Sequence, residues 1–364
     1  MDWFGNEPEK EAAQPSAAPF WETLSPSAPE ALAPQGAPQS FADLAERVSR
    51  GVAVPGGVQP QHPEGVGVHG AHERLAPRAL ALSANQINQL VNTGLASTLA
   101  AGSVVVFYNA YDIESLPISL FAISIAVASF PVLGTYFVQK KLKAFLSTVR
   151  ASITHILFIM VPLSVFMYVL RAQIVRLILG YGKYNWEDTI RPLDVFGVFV
   201  CSLVFQALIP IFARAFYARE NTKLPVLVSV VSIAVNIMLA VMLTEHYGII
   251  GLALAFSGAA AFQCIALWLL LEQRVGRLLN RALAVSVVRI VVAGILGGGA
   301  VYISLYLIAA GIGTERVWTL FVQGLVSFLA GSGVYMLALW IMGEQLVKVY
   351  MGRVRGLLSS LSIK

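Results

Sequence analysis

From about residue 75 onward the chain is a series of long apolar runs separated by short polar breaks. Seven runs are clear, at 116–138, 153–179, 195–213, 224–244, 248–271, 283–310 and 317–342. Each is long enough to cross a hydrocarbon core of about 30 Å as a helix. Strands of a membrane barrel alternate apolar and polar positions over about ten residues, and these unbroken runs do not. An eighth segment, about 75–99, is less apolar. Its Asn85, Asn88 or Gln89, and Asn92 recur at helical spacing, so one stripe is amide-rich while Leu82, Leu90 and Leu95 lie elsewhere. Amides facing lipid are costly. The stripe is therefore expected to face a cavity or another helix, and the pattern predicts eight spans.

Composition makes the membrane assignment firm. Of 364 residues, 57% are hydrophobic and only 12% charged, with a mean hydropathy of +0.72. Soluble domains run at about 45–50% apolar and about 25% charged, so a soluble enzyme is excluded. Residues 1–73 differ from the rest, holding 10 of the 17 prolines and half of the acidic residues. Such a stretch cannot bury enough apolar surface to offset its chain entropy, and a disordered tail is expected, with one short helix possible from Ser40 to Ser49. No basic stretch precedes an early apolar core, so no signal peptide is read. The expected organisation is a Pro/Ala/Gly-rich tail over 1–73, a helical membrane domain over 74–343 and a basic tail over 344–364.

The net charge of +5 reports topology rather than nucleic-acid binding. Breaks at 139–150, 214–223 and 272–281 and the tail 344–364 carry 14 lysines and arginines. The alternate breaks, at 100–112, 171–192, 245–247 and 311–316, carry 5. Basic residues collect on the cytoplasmic side, which puts both termini in the cytoplasm. The tail from Leu346 to Leu358 mixes basic and apolar residues and can lie on the membrane surface.

Candidate chemistry is sparse. No phosphate-cradling loop, nucleophile elbow or zinc-binding helix occurs, so no catalytic residue, cofactor or metal site is expected. Cys201 and Cys264 read as small buried thiols. Gly297-Gly-Gly299 lies inside an apolar run and reads as close helix packing. Polar groups within the membrane are expensive and tend to be functional. Asn85, Asn88, Gln89, Asn92, Asp112, Glu114 and Arg214 are thus the substrate or cavity candidates. Asp112 and Glu114 are expected at the interface, just before the 116–138 run. Gln206, Asn236, Gln263 and Gln323 read as interhelical hydrogen bonds, Arg171 and Arg176 as packing groups, and Arg289 as a snorkelling charge. Pro131, Pro162 and Pro210 permit kinks within spans.

Several stretches, in order, resemble one family. Gln86-Ile-Asn-Gln-Leu-Val-Asn-Thr-Gly-Leu-Ala-Ser97 is similar to the seventh helix of the MurJ/MviN lipid II flippases. Tyr108 to Pro131 resembles their eighth helix, and Gly180-Tyr-Gly-Lys-Tyr-Asn-Trp-Glu-Asp-Thr189 an outer loop. Arg214-Ala-Phe-Tyr-Ala-Arg-Glu-Asn-Thr-Lys-Leu-Pro225 is the most specific match, followed by Asn236-Ile-Met-Leu239 and Tyr247-Gly-Ile-Ile-Gly-Leu-Ala-Leu-Ala-Phe-Ser257. The resemblance covers about 75–343.

It implies an all-α polytopic fold of the multidrug/oligosaccharidyl-lipid/polysaccharide (MOP) exporter superfamily. The eight spans would correspond to the second six-helix bundle plus the family's extra helix pair. The implied function is translocation of the lipid-linked peptidoglycan precursor lipid II by alternating access, with membrane lipids around it. The first bundle is expected from a missing N-terminal half of a truncated or split gene, or from a second copy. Two positions depart from the family pattern. Its Ala-Asp-Arg before Leu-x-x-x-Pro reads Ala110-Tyr111-Asp112 here, and the aspartate of its seventh helix is Asn92. The alternatives are another exporter of the superfamily, for polysaccharide-lipid or drugs, and a non-transporting membrane scaffold.

Overall fold

The computed structural model describes residues 86, 88–99, 102–179, 186–311, 317–344 and 346–347, all within the unit His69–Lys364. The proposed tail over 1–73 and most of 344–364 lie outside the described residues, as does Asn85. The described chain is helical throughout. We number its elements α1 (88–97), α2 (Ser103–Pro117), a π-helical segment (Ile118–Ile123), α3 (Ser124–Val138), α4 (Leu142–Val169), α5 (Arg171–Leu179), α6 (Trp186–Tyr217), α7 (Lys223–Tyr247), α8 (Ile249–Val275), α9 (Arg281–Gly311) and α10 (Val317–Ile341).

Among the described residues seven helices are long and apolar enough to cross a membrane, and the shorter α1 lies within the polar eighth segment. Large apolar side chains such as Leu254, Val288, Ile295, Tyr306 and Leu329 stand exposed around the bundle. In water a surface of that kind would associate or aggregate; in a bilayer it is the lipid contact. The chain is an all-α, multi-pass membrane protein.

α6 is the centre of the bundle. Its Phe196, Phe199, Leu203, Ile211, Phe212 and Phe216 are fully buried, and it packs against α8, α4 and α2. α7 lies along α8 and α9 along α10, with α9 also on α4. Small residues allow α9 to approach both α10 and α4. A Cβ at Gly297 would stand 3.0 Å from the Gly331 carbonyl oxygen and from Phe166, and one at Gly298 would collide with Val165. The structure shows close packing at Gly297 and Gly298, while Gly299 faces open space. Hydroxyls add cross-links: Ser129 pairs with Ser152 at 2.7 Å, and Tyr335 donates to the Phe158 carbonyl at 2.7 Å.

Two boundaries differ from the sequence expectation. Residues 103–112, placed in a polar break, are helical: one helical segment of 36 residues runs from Ser103 to Val138, through Pro117 and the π turn. Asn109, Asp112, Glu114 and Pro117 break the apolar pattern there, but they do not break the helix. A proline's lost hydrogen bond is accommodated by a local wide turn when neighbouring helices cover it. The 153–179 run is also two helices rather than one, α4 and α5, separated at Leu170. Arg171, just past that break, lies 4.6 Å from the Tyr168 ring centroid and donates to the Tyr168 carbonyl.

Candidate functional site

Three of the predicted amides do come together. Asn88, Gln89 and Asn92 of α1 line a cavity of about 140 Å³ with Phe107, Tyr108 and Tyr111 of α2 and Phe256 of α8. Asn236, on α7 and 1% exposed, closes the back of this stripe. Its Nδ2 donates to Asn88 Oδ1 at 2.6 Å and to Asn92 Oδ1 at 3.0 Å. The stripe faces inward because these amides would have no partners in lipid. At the front, Thr93 Oγ1 and the Tyr108 hydroxyl are 2.6 Å apart, tying α1 to α2.

An aromatic floor supports the amides. Phe107, Tyr111, Phe199 and Phe256 meet edge to face, with centroids 5.2 Å apart for Phe107–Phe199 and 5.6 Å for Tyr111–Phe256. Such contacts fix ring orientation as well as burying area. Among the described residues the cavity is therefore lined by amides, phenols and rings, with no charged side chain. Chemically it can offer donors, acceptors and ring faces to an uncharged polar group. The rings were not among the sequence candidates. The i, i+1, i+4 spacing of Phe107, Tyr108 and Tyr111 was a readable signal, hidden by treating 100–112 as a loop.

Glu114 belongs to a separate cluster. It is fully buried on α2, where Gln206 Nε2 of α6 donates to its Oε1 at 2.6 Å and to Ser202 Oγ at 2.8 Å. The expectation of an interfacial Glu114 is thus corrected: the long helix carries it into the bundle. Asp112, two residues earlier, is exposed. Arg214 is half-buried near the end of α6, eight residues or about 12 Å along the helix from Gln206, and takes no part in lining the cavity. Beyond α6, burial and the nearby Arg274 charge hold the Arg219 guanidinium below the usual arginine range. The remaining amides bridge helices as expected: Gln263 of α8 donates to Ser229 of α7, and Gln323 of α10 to the Leu305 carbonyl of α9.

A family model described as lipid II flippase MurJ matches residues 58–322. The chain belongs to the MurJ family. Among curated relatives, it is 28% identical over 199 residues to a probable lipid II flippase MurJ of Bdellovibrio bacteriovorus, covering 55% of this chain and 38% of that protein. With the probable lipid II flippase MurJ of Vibrio cholerae it shares 26% identity over 275 residues, 75% of this chain and 52% of that one. A solved structure of lipid II flippase MurJ in an inward closed conformation superposes with a TM-score of 0.62 at 21% identity, covering 76% of this chain and 55% of the other. That likeness shows a MurJ-type fold. The matched region spans between about a third and a little over half the length of these MurJ relatives.

Proposed function

We propose that this chain forms one wall of a path by which lipid II crosses the cytoplasmic membrane. The observation that carries the reading is the family match over residues 58–322. The inward stripe of Asn88, Gln89 and Asn92 over an aromatic floor supports it, because a sugar-bearing head group needs polar contacts inside a membrane. The polyprenyl tail stays in lipid, and the head group passes the stripe. One bundle has no opposite wall, so the path is completed by a second bundle, from another polypeptide segment or from another copy. Both termini lie in the cytoplasm by this reading.

Depletion of the protein from its host, with leaflet-resolved labelling of lipid II, tests the proposal. Precursor is expected to accumulate in the inner leaflet; an unchanged distribution overturns it. Asn88→Leu is expected to lower flipping by about tenfold, equivalent to about 1.4 kcal/mol, at unchanged protein level. A scaffold role predicts no effect of Asn88→Leu. A second reading, export of another polysaccharide-lipid or a drug, is favoured by the uncharged cavity and by Asp112 in place of the family's arginine. It predicts efflux from vesicles with no change in lipid II.

A further inference from the structure

Glu114 is 0% exposed where α2 meets α6. A carboxylate offers about four lone-pair sites. Here Gln206 Nε2 reaches Oε1 at 2.6 Å with Ser202 beside it, while Oε2 has no hydrogen-bond partner. Among the described residues no cation lies within ion-pair distance of it. The groups around it are few. On α2, Tyr111 lies one turn back, and the exposed Asp112 is two residues away. On α6 it meets Gln206 and Ser202, neither titratable; Cys201 adjoins Ser202, Arg214 is about 12 Å further along and Asp194 about 18 Å in the other direction. α8 offers Phe256 to this region, with Glu272 and Arg274 about 24 Å away at that helix's end.

A charge held this way lacks the compensation that buried ions need. We propose that Glu114 is a proton-binding site inside the bundle, and that release of its proton loosens α2 from α6. In the closed arrangement a proton taken from water sits on the carboxyl, and Oε1 remains the acceptor for Gln206. On release the proton returns to water and leaves an unpaired negative charge between two helices. Water entry and separation of the helices then relieve that charge. The π segment Ile118–Ile123 begins four residues beyond Glu114, directly after Pro117, and supplies a compliant turn at which α2 can move. A metal cation fits less well. It needs several oxygens, and the nearest amide directs its donor at the carboxylate.

Infrared spectroscopy of the purified full chain in lipid nanodiscs tests this. Near neutral pH the protein is expected to show the deuterium-sensitive C=O stretch of a buried protonated carboxyl. The band is expected to be absent from Glu114→Gln and retained in Glu344→Gln. In Gln206→Leu it is expected to move to higher frequency, because the carbonyl loses its donor. Circular dichroism reports whether each variant folds; if Glu114→Gln does not, the Gln206→Leu shift decides. No band, a band that persists in folded Glu114→Gln, or an unshifted band in Gln206→Leu overturns the proposal. Loss of the band on replacing potassium by sodium at constant pH also overturns it, in favour of a cation site. Amide exchange over 118–123 is expected to speed up at least tenfold once the band has titrated away, and not in Glu114→Gln; equal rates overturn the loosening. No substrate enters these measurements, so they stand or fall apart from the lipid II reading.

Discussion

Two residues apart on one helix, Asp112 and Glu114 meet opposite environments. A helix turns about 100° per residue, so two positions differ by about 200° in direction. One carboxylate is left exposed and the other is carried against Gln206. Asn236 shows the same dependence on facing. Its single Nδ2 holds Asn88 and Asn92 of α1, and it is 1% exposed. Asn236→Leu leaves both amide oxygens without that donor. It is expected to destabilise the protein by about 1–3 kcal/mol, read as a lower unfolding midpoint in detergent. Gln206, Asn236, Gln263 and Gln323 were legible as interhelical donors, because an amide deep in an apolar run has no other partner. Their acceptors were not legible, since each lies on another helix, as far as 148 residues away for Asn88 and Asn236.

At the scale of elements, the spacing of helices is set by where side chains are missing. A Cβ at Gly331 of α10 would collide with Val301 of α9 and approach the Gly297 carbonyl oxygen to 2.9 Å. Gly299, two residues further along α9 from Gly297, has nothing within 4 Å of a Cβ. Gly331→Ala is therefore expected to cost about 1–3 kcal/mol by forcing α9 and α10 apart. Gly299→Ala is expected to be neutral or stabilising by up to about 1 kcal/mol, because alanine is the better helix former. Thermal melting of the pair in one detergent separates the two. The glycine run was readable as a contact, but which of its members touches a neighbour was not. The extent of α2 was misread for a related reason: its polar residues interrupt the apolar pattern without interrupting backbone hydrogen bonding.

For the whole molecule, the structure gathers the basic connections at one end. Arg150 donates to the carbonyls of Arg277 and Leu278, and Arg219 lies 6.0 Å from the Phe137 ring centroid. Arg289 pairs with Glu344 at 3.6 Å. Excess lysine and arginine at one end predicts that this end is cytoplasmic. Single cysteines at Lys141, Lys223 and Arg277 in a background lacking Cys201 and Cys264 are expected to resist an impermeant thiol reagent in intact cells. A cysteine at His246, at the other end of α7, is expected to react. The opposite pattern reverses the orientation.

What the sequence determined alone was the solvent of this protein and its seven long apolar runs, each of which holds a helix able to cross a bilayer. Both follow from sums along the chain: overall apolar content, and apolar length against bilayer thickness. The order of its motifs also carried the family. Only the tertiary structure decided which polar residues share a site. Burial and hydrogen bonding join residues distant in sequence, so the floor of Phe107, Tyr111, Phe199 and Phe256, and the closure of Glu114 by Gln206, arise when α2, α6 and α8 pack. Arg214, promising in a linear motif, is left at the far end of α6 by the same packing.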